Sequence, residues 1–275
     1  MNTISVTDPN DERLADFRSL NDQAFRRKLE SDQFFIAEGY VAIEKLIKSG
    51  HVVRSVLLAP SRVARFEPQM EGLSRAGTPV FVAEKATIAD VVGFDMHRGV
   101  IASAERRPHP NLSELATTSS RIAVLEGLND AENLGAIARA ARALGIDGLA
   151  IDPTCTDPYS RRTVRVSMGE VLFLPIARLS EQEWPNALDI LRAAGFETWA
   201  MTPSPDADDL WSAVVPERLA VVLGAEGPGL SERTLASCDA LVRIPINDQV
   251  DSLNVGHAAA ITFAAASRPA VSERT

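Results

Sequence analysis

Apolar residues in this chain fall into short runs separated by stretches with a helical period. In the first part, Phe34–Ala37 predicts a strand, and the period through Val41, Ile43, Leu46 and Ile47 predicts a helix to Ser49 with Gly50 as its C-cap. Val56–Ala59, Val80–Val82 and Val100–Ala102 predict further strands, giving a small α/β domain. The later alternation is stronger. Strands are predicted at Ile122–Leu125, Leu149–Ile151, Leu172–Leu174, Glu197–Met201, Leu219–Leu223 and Leu241–Ile244. Helices are predicted at Asn133–Leu144, Trp184–Ala194 and Asn254–Ala266. Short apolar runs alternating with helices imply a mostly parallel sheet covered on both faces. Sites in such sheets lie beyond the carboxyl ends of the strands, which directs attention to the loops after Leu125, Leu223 and Ile244.

Between the two regions, Arg106-Arg107-Pro108-His109-Pro110-Asn111 leads into a polar run through Ser120. Two prolines and no apolar period predict a linker over 111–120, with domains at 1–110 and 121–275.

Composition narrows the class. The 275 residues are 45% hydrophobic, enough for a buried core, yet no apolar run approaches the ~20 residues of a bilayer span. Met1 to Arg13 is polar and acidic, unlike a secretory leader. Cys155 and Cys238 lack the spacing of a zinc site or disulfide framework, so a reduced cytoplasmic setting without a metal is expected. Residues 1–110 carry 15 acidic and 15 basic side chains, so the net charge of −9 lies wholly in the second part. A dispersed basic surface is absent, and any polyanion must meet local clusters. Arg26-Arg27-Lys28 and Arg161-Arg162 with Arg165 are the two candidates.

Three loops carry candidate chemistry. The first runs from Glu126 to Arg139, with Asn133 as the expected N-cap of a helix. The second, Leu223-Gly224-Ala225-Glu226-Gly227-Pro228-Gly229-Leu230, has three glycines that permit close backbone approach or positive φ. It has no P-loop lysine, and Glu226 would repel a triphosphate. In the third, Ile244-Pro245-Ile246 precedes Asp251-Ser252-Leu253-Asn254-Val255, with Ser252 or Asn254 as N-cap of an alanine-rich helix.

Together the three resemble the motifs of the SpoU family of RNA ribose methyltransferases, TrmH-type members of the SPOUT superfamily. Asp157-Pro158-Tyr159, Arg165-Val166-Ser167-Met168-Gly169 and Phe35-Ile36-Ala37-Glu38-Gly39 also look like the family, in its order along nearly the whole chain. Gly256 and His257 depart from it, since serine and a small apolar residue commonly stand there; His257 is read as a core or interface residue.

The resemblance implies an α/β protein with a C-terminal parallel-sheet SPOUT domain holding a deep trefoil knot, preceded by a small L30e-like substrate-binding domain. It implies S-adenosylmethionine as cofactor, held largely by backbone at Leu223, Gly224, Gly227, Ile244, Ile246 and Leu253. Asn133, Arg139, Glu226, Ser252 and Asn254 match the family's catalytic positions, and a homodimer sharing its active sites is implied. The expected partner is RNA, ribosomal in preference to transfer RNA, met by Arg26, Arg27, Lys28, Arg161, Arg162 and Arg165. An inactive RNA-binding relative is the competing class.

Overall fold

The structure, a computed structural model, describes residues 3–30, 32–96, 99–247 and 249–267, without the side chains of Arg27 and Pro185. Two compact units emerge: Met1–Arg107 with Tyr159–Leu172, and Pro108–Pro158 with Phe173–Thr275.

The first unit is built from β1 (Ile4–Ser5), α1 (Gln23–Glu30), β2 (Phe34–Glu38), α2 (Tyr40–Ser49), β3 (Val53–Leu58), α3 (Val63–Arg75), β4 (Val80–Val82), α4 (Lys85–Val92) and β5 (Val100–Glu105). Its sheet runs β1-β4-β3-β5-β2, with β5 antiparallel to β2 and β3. Gly50 ends α2 at φ 74, as the sequence predicts. Every residue of β2 is buried, and Phe17, Ile36, Leu57 and Ile101 belong to one apolar cluster.

The second unit holds α5 (Leu112–Thr118), β6 (Arg121–Glu126), α6 (Ala131–Ala143) and β7 (Gly148–Ile151). The chain then enters the first unit for α7 (Arg161–Val166), and returns for β8 (Ile176–Arg178), α8 (Ala187–Ala193), β9 (Glu197–Met201) and β10 (Asp208–Asp209). It ends with β11 (Leu219–Gly224), α9 (Glu232–Ser237), β12 (Ala240–Arg243) and α10 (Val255–Ala266). The seven strands are all parallel, in the order β10-β12-β9-β11-β6-β7-β8. The alternating apolar runs give this α/β architecture directly.

Three expectations need correction. Residues 111–120 are not a bare linker. Asn111 Oδ1 accepts from the Glu114 N–H at 2.8 Å while the Glu114 carboxylate accepts from the Asn111 N–H at 2.9 Å, a capping box that starts α5. Leu112, Leu115 and Ala116 then bury one face of it. Second, Leu172–Leu174 is not a strand. Met168 and Gly169, at φ 56 and 81, turn the chain into a 3-10 segment at Glu170–Phe173, and the strand begins after Pro175. Third, the sequence from 121 to 275 does not stay in one unit, because Tyr159–Leu172 packs with the first.

Candidate active site

The carboxyl ends of β9, β11 and β12 open on a cavity of about 390 Å³ in the second unit. This lies within the roughly 300–1,000 Å³ of small-molecule sites. Leu223, Gly224, Gly227, Ile244, Ile246 and Leu253 all line it. Gly224 is where β11 meets the returning loop. A Cβ there would sit 2.3 Å from the Gly229 carbonyl carbon, so no other residue fits without moving backbone. Gly227 (φ 86) and Gly229 (φ 70) supply the left-handed turn, closed by the Gly229 N–H donating to Ala225 O at 3.0 Å. Glu126, at the end of β6, takes the Ser231 hydroxyl at 2.8 Å and the Thr234 hydroxyl at 3.1 Å, tethering the far end of the loop.

Polar groups converge at its rim. Asn254 caps α10, its Oδ1 accepting from the Gly256 N–H at 2.9 Å. Its amide nitrogen donates to Asn133 Oδ1 at 2.9 Å and to Glu226 Oε1. Both amide hydrogens are thereby used, and motifs distant in sequence join through one side chain. Asn133 is not the N-cap of α6: Asp130 is, accepting from the Glu132 N–H at 2.8 Å, and the buried Asn133 faces Asn254. Ser252 lines the cavity. Arg139 does not join this group. It is exposed on α6, and no hydrogen bond or ion pair to it exists among the described residues. Six helical residues carry it about 120° around the axis from Asn133. Gly256 has a packing reason, since its Cβ would lie 3.1 Å from that of Ala136 on α6; His257 is exposed in this chain. Met201, Thr202 and Pro203 also line the cavity and were missed. They follow a strand that the sequence had placed correctly, so the carboxyl-end rule marked them too.

The basic clusters fare unequally. Arg26 is 7% exposed, with its guanidinium on Glu30 at 2.7 Å and on the Asp16 carbonyl at 2.7 Å. Its guanidinium is engaged within the first unit. The side chain of Arg27 lies outside the described residues, and Lys28 is exposed. Arg161 donates to the buried Glu38 at 2.9 Å, and Arg165 stands 3.8 Å from the same carboxylate. Burial lowers the Arg161 pKa from its ordinary value, while Glu38 opposes that shift. Arg162 is exposed.

The lining suits a flat, uncharged heterocycle joined to a cationic centre. Five branched aliphatic side chains (Leu223, Ile244, Ile246, Leu253, Val255) offer apolar faces, and loop backbone offers hydrogen bonds. Glu226 is the one charged side chain among the described lining residues, and it is anionic. That sign favours a sulfonium and disfavours a polyphosphate. Among the described residues, no group of three or more His, Cys, Asp or Glu could hold a metal ion, and no helix is long and apolar enough to cross a membrane.

Comparison with known proteins agrees with this geometry. Residues 120–264 match the SpoU rRNA Methylase family. An uncharacterized tRNA/rRNA methyltransferase of Mycobacterium bovis is 40% identical over 262 residues, covering 94% of this chain and 89% of that protein. A 23S rRNA (guanosine-2'-O-)-methyltransferase of Shewanella oneidensis is 27% identical, covering 81% and 92%. Among solved structures, an AdoMet-bound rRNA methyltransferase from Sinorhizobium meliloti superposes with a TM-score of 0.81 at 27% identity, covering 97% and 98%. The SpoU methyltransferase AviRb from Streptomyces viridochromogenes, with AdoMet, gives 0.77 at 25% identity over 93% and 97%. With its cavity, its three converging loops and these relatives, the chain belongs to the SpoU rRNA methylase family and is an RNA methyltransferase that uses S-adenosylmethionine.

Proposed function

We propose that the protein methylates a ribose 2′-hydroxyl of ribosomal RNA, as a homodimer. The observation that carries this reading is the joining of Asn133, through Asn254, to Glu226, the latter two lining the cavity. The bound donor supplies an activated methyl on a sulfonium sulfur. What remains for the protein is alignment, exclusion of water and the fate of one proton. Leu223, Gly224, Gly227, Ile244, Ile246 and Leu253 would hold the donor, with Glu226 facing its positive charge.

The transfer is an in-line displacement. A bound donor would supply its methyl to the ribose oxygen, and the hydroxyl proton would have to leave. Arg139 does not take that proton, because a guanidinium offers hydrogen-bond donors and no acceptor. It instead grips a substrate phosphate and orients the ribose, leaving the proton to a phosphate oxygen or water. Its exposure, with no hydrogen bond or ion pair to it among the described residues, supports a site completed by a second copy. The outward residues of α10, Ala264 and the half-buried Ala260 and Ile261, offer a small-residue face for that copy. The deep trefoil knot belongs to the same reading. The rRNA preference is supported by the presence of a first unit in addition to the methyltransferase unit, and by relatives named for rRNA that cover 97% and 81% of this chain.

Mapping 2′-O-methylation across all ribosomal and transfer RNA in a strain without the protein tests this. The expected result is loss of one ribosomal site, restored by the wild-type gene. Loss of a transfer-RNA site would reassign the substrate, and loss of a base methylation would overturn the ribose chemistry.

A further inference from the structure

We propose that Tyr40 and Arg65, on the first unit, form a contact site for an unpaired nucleotide of the substrate RNA, the base stacking on the pair and its phosphate meeting Arg65. This rests on the reading of RNA as the substrate. Tyr40 opens α2 directly after Gly39, whose φ of 94 turns the chain out of β2. Its hydroxyl hydrogen-bonds Gln69 Oε1 at 2.9 Å, and its ring meets the buried Phe66 edge-on at 6.3 Å. Those two contacts from α3 fix the ring. Arg65, one turn before Gln69, lies over the same ring at 4.7 Å.

The charge at this spot is not balanced. Arg65 is exposed, and among the described residues no carboxylate pairs with it. Arg13, Arg26, Arg54, Arg75 and Arg106 of the same unit each meet one. Two residues before Tyr40, the Glu38 carboxylate is approached by both Arg161 and Arg165. Two guanidiniums thus share one carboxylate at the end of β2. Val41, 40% exposed, adds apolar surface to the same turn of α2. A fixed aromatic ring, an unneutralised guanidinium and adjacent apolar surface are what single-stranded nucleic acid uses. A base stacks with little regard to sequence, and its phosphate takes the charge.

The test uses the full-length protein, with ribosomal RNA purified from cells lacking the enzyme as the probe. Arg65→Ala should weaken RNA binding about tenfold and flatten the slope of log affinity against log salt by about 0.7 to 0.9, one phosphate contact. Tyr40→Ala should weaken binding to a similar degree without changing the slope, and Tyr40→Phe should recover most of the loss because the ring is kept. Arg65→Lys should restore the slope and only part of the affinity. In all four, calorimetric S-adenosylmethionine affinity should match wild type, with a raised KM for RNA. If Arg65→Ala and Tyr40→Ala bind the probe as wild type does while methylation proceeds, the pair is a surface stack and the proposal is overturned. If the wild-type protein methylates neither ribosomal nor transfer RNA, the underlying substrate reading fails instead.

Discussion

Arg139 is the side chain whose role separates most cleanly from folding. It is exposed and has no hydrogen bond or ion pair among the described residues, so Arg139→Ala should leave the melting temperature and S-adenosylmethionine affinity unchanged. Methyl transfer should fall by roughly two orders of magnitude or more, the scale of losing a transition-state contact. Near-wild-type turnover would remove it from the mechanism. His51 is the opposite case. It is buried against Phe35 and Tyr159, with Nδ1 2.9 Å from the Ser49 hydroxyl, and burial, followed by the nearby Arg107, pushes its pKa down from 6.5 to about 4. The unfolded chain binds this proton at a pH where the folded chain does not. Stability of the first unit is therefore present in full above pH 6.5 and is lost as pH falls toward 4. Thermal melts across that window should show a weaker acid dependence for His51→Gln than for wild type. An identical dependence would mean that His51 protonates normally in the fold.

At the level of elements, the chain was most legible where periodicity and termini agreed. Glu197–Met201 and Val80–Val82 form strands with the bounds their apolar runs suggest. The failures have local causes. The Leu172–Leu174 run looked like a strand because a three-residue apolar run has no period, and only the positive φ values at Met168 and Gly169 reveal the turn before it. Asn133 looked like an N-cap because its type fits, yet Asp130 stood three residues earlier with an equal claim. Its contact with Asn254 spans 121 residues, beyond any local pattern. Helix α5 was readable but overlooked: Asn111 and Glu114 have capping-box spacing, and Leu112, Leu115 and Ala116 share a face. Asn111→Ala should cost about 1 kcal/mol of stability in chemical denaturation. A change near zero would mean that burial of Leu115 alone holds the helix.

For the whole molecule, self-association and function should be inseparable if the active site is shared. Light scattering at low micromolar concentration should give twice the chain mass, and Ala264→Glu on the outward face of α10 should yield a folded monomer without methyltransferase activity. A fully active monomer would refute the homodimer. The excursion of Tyr159–Leu172 has a different consequence. Because the first unit borrows that stretch from the middle of the second, the chain crosses between them three times. A single proteolytic nick near Pro108 would leave both fragments contributing chain to one folded body, so they should co-elute after cleavage. The same connectivity governs inheritance. Recombination that swaps residues 1–107 for those of a relative would deliver a unit missing α7, together with the Phe35–Tyr159 stack and the Glu38–Arg161 pair. New RNA specificities in this lineage should therefore arise by point substitution, or by exchanging two separated gene segments at once.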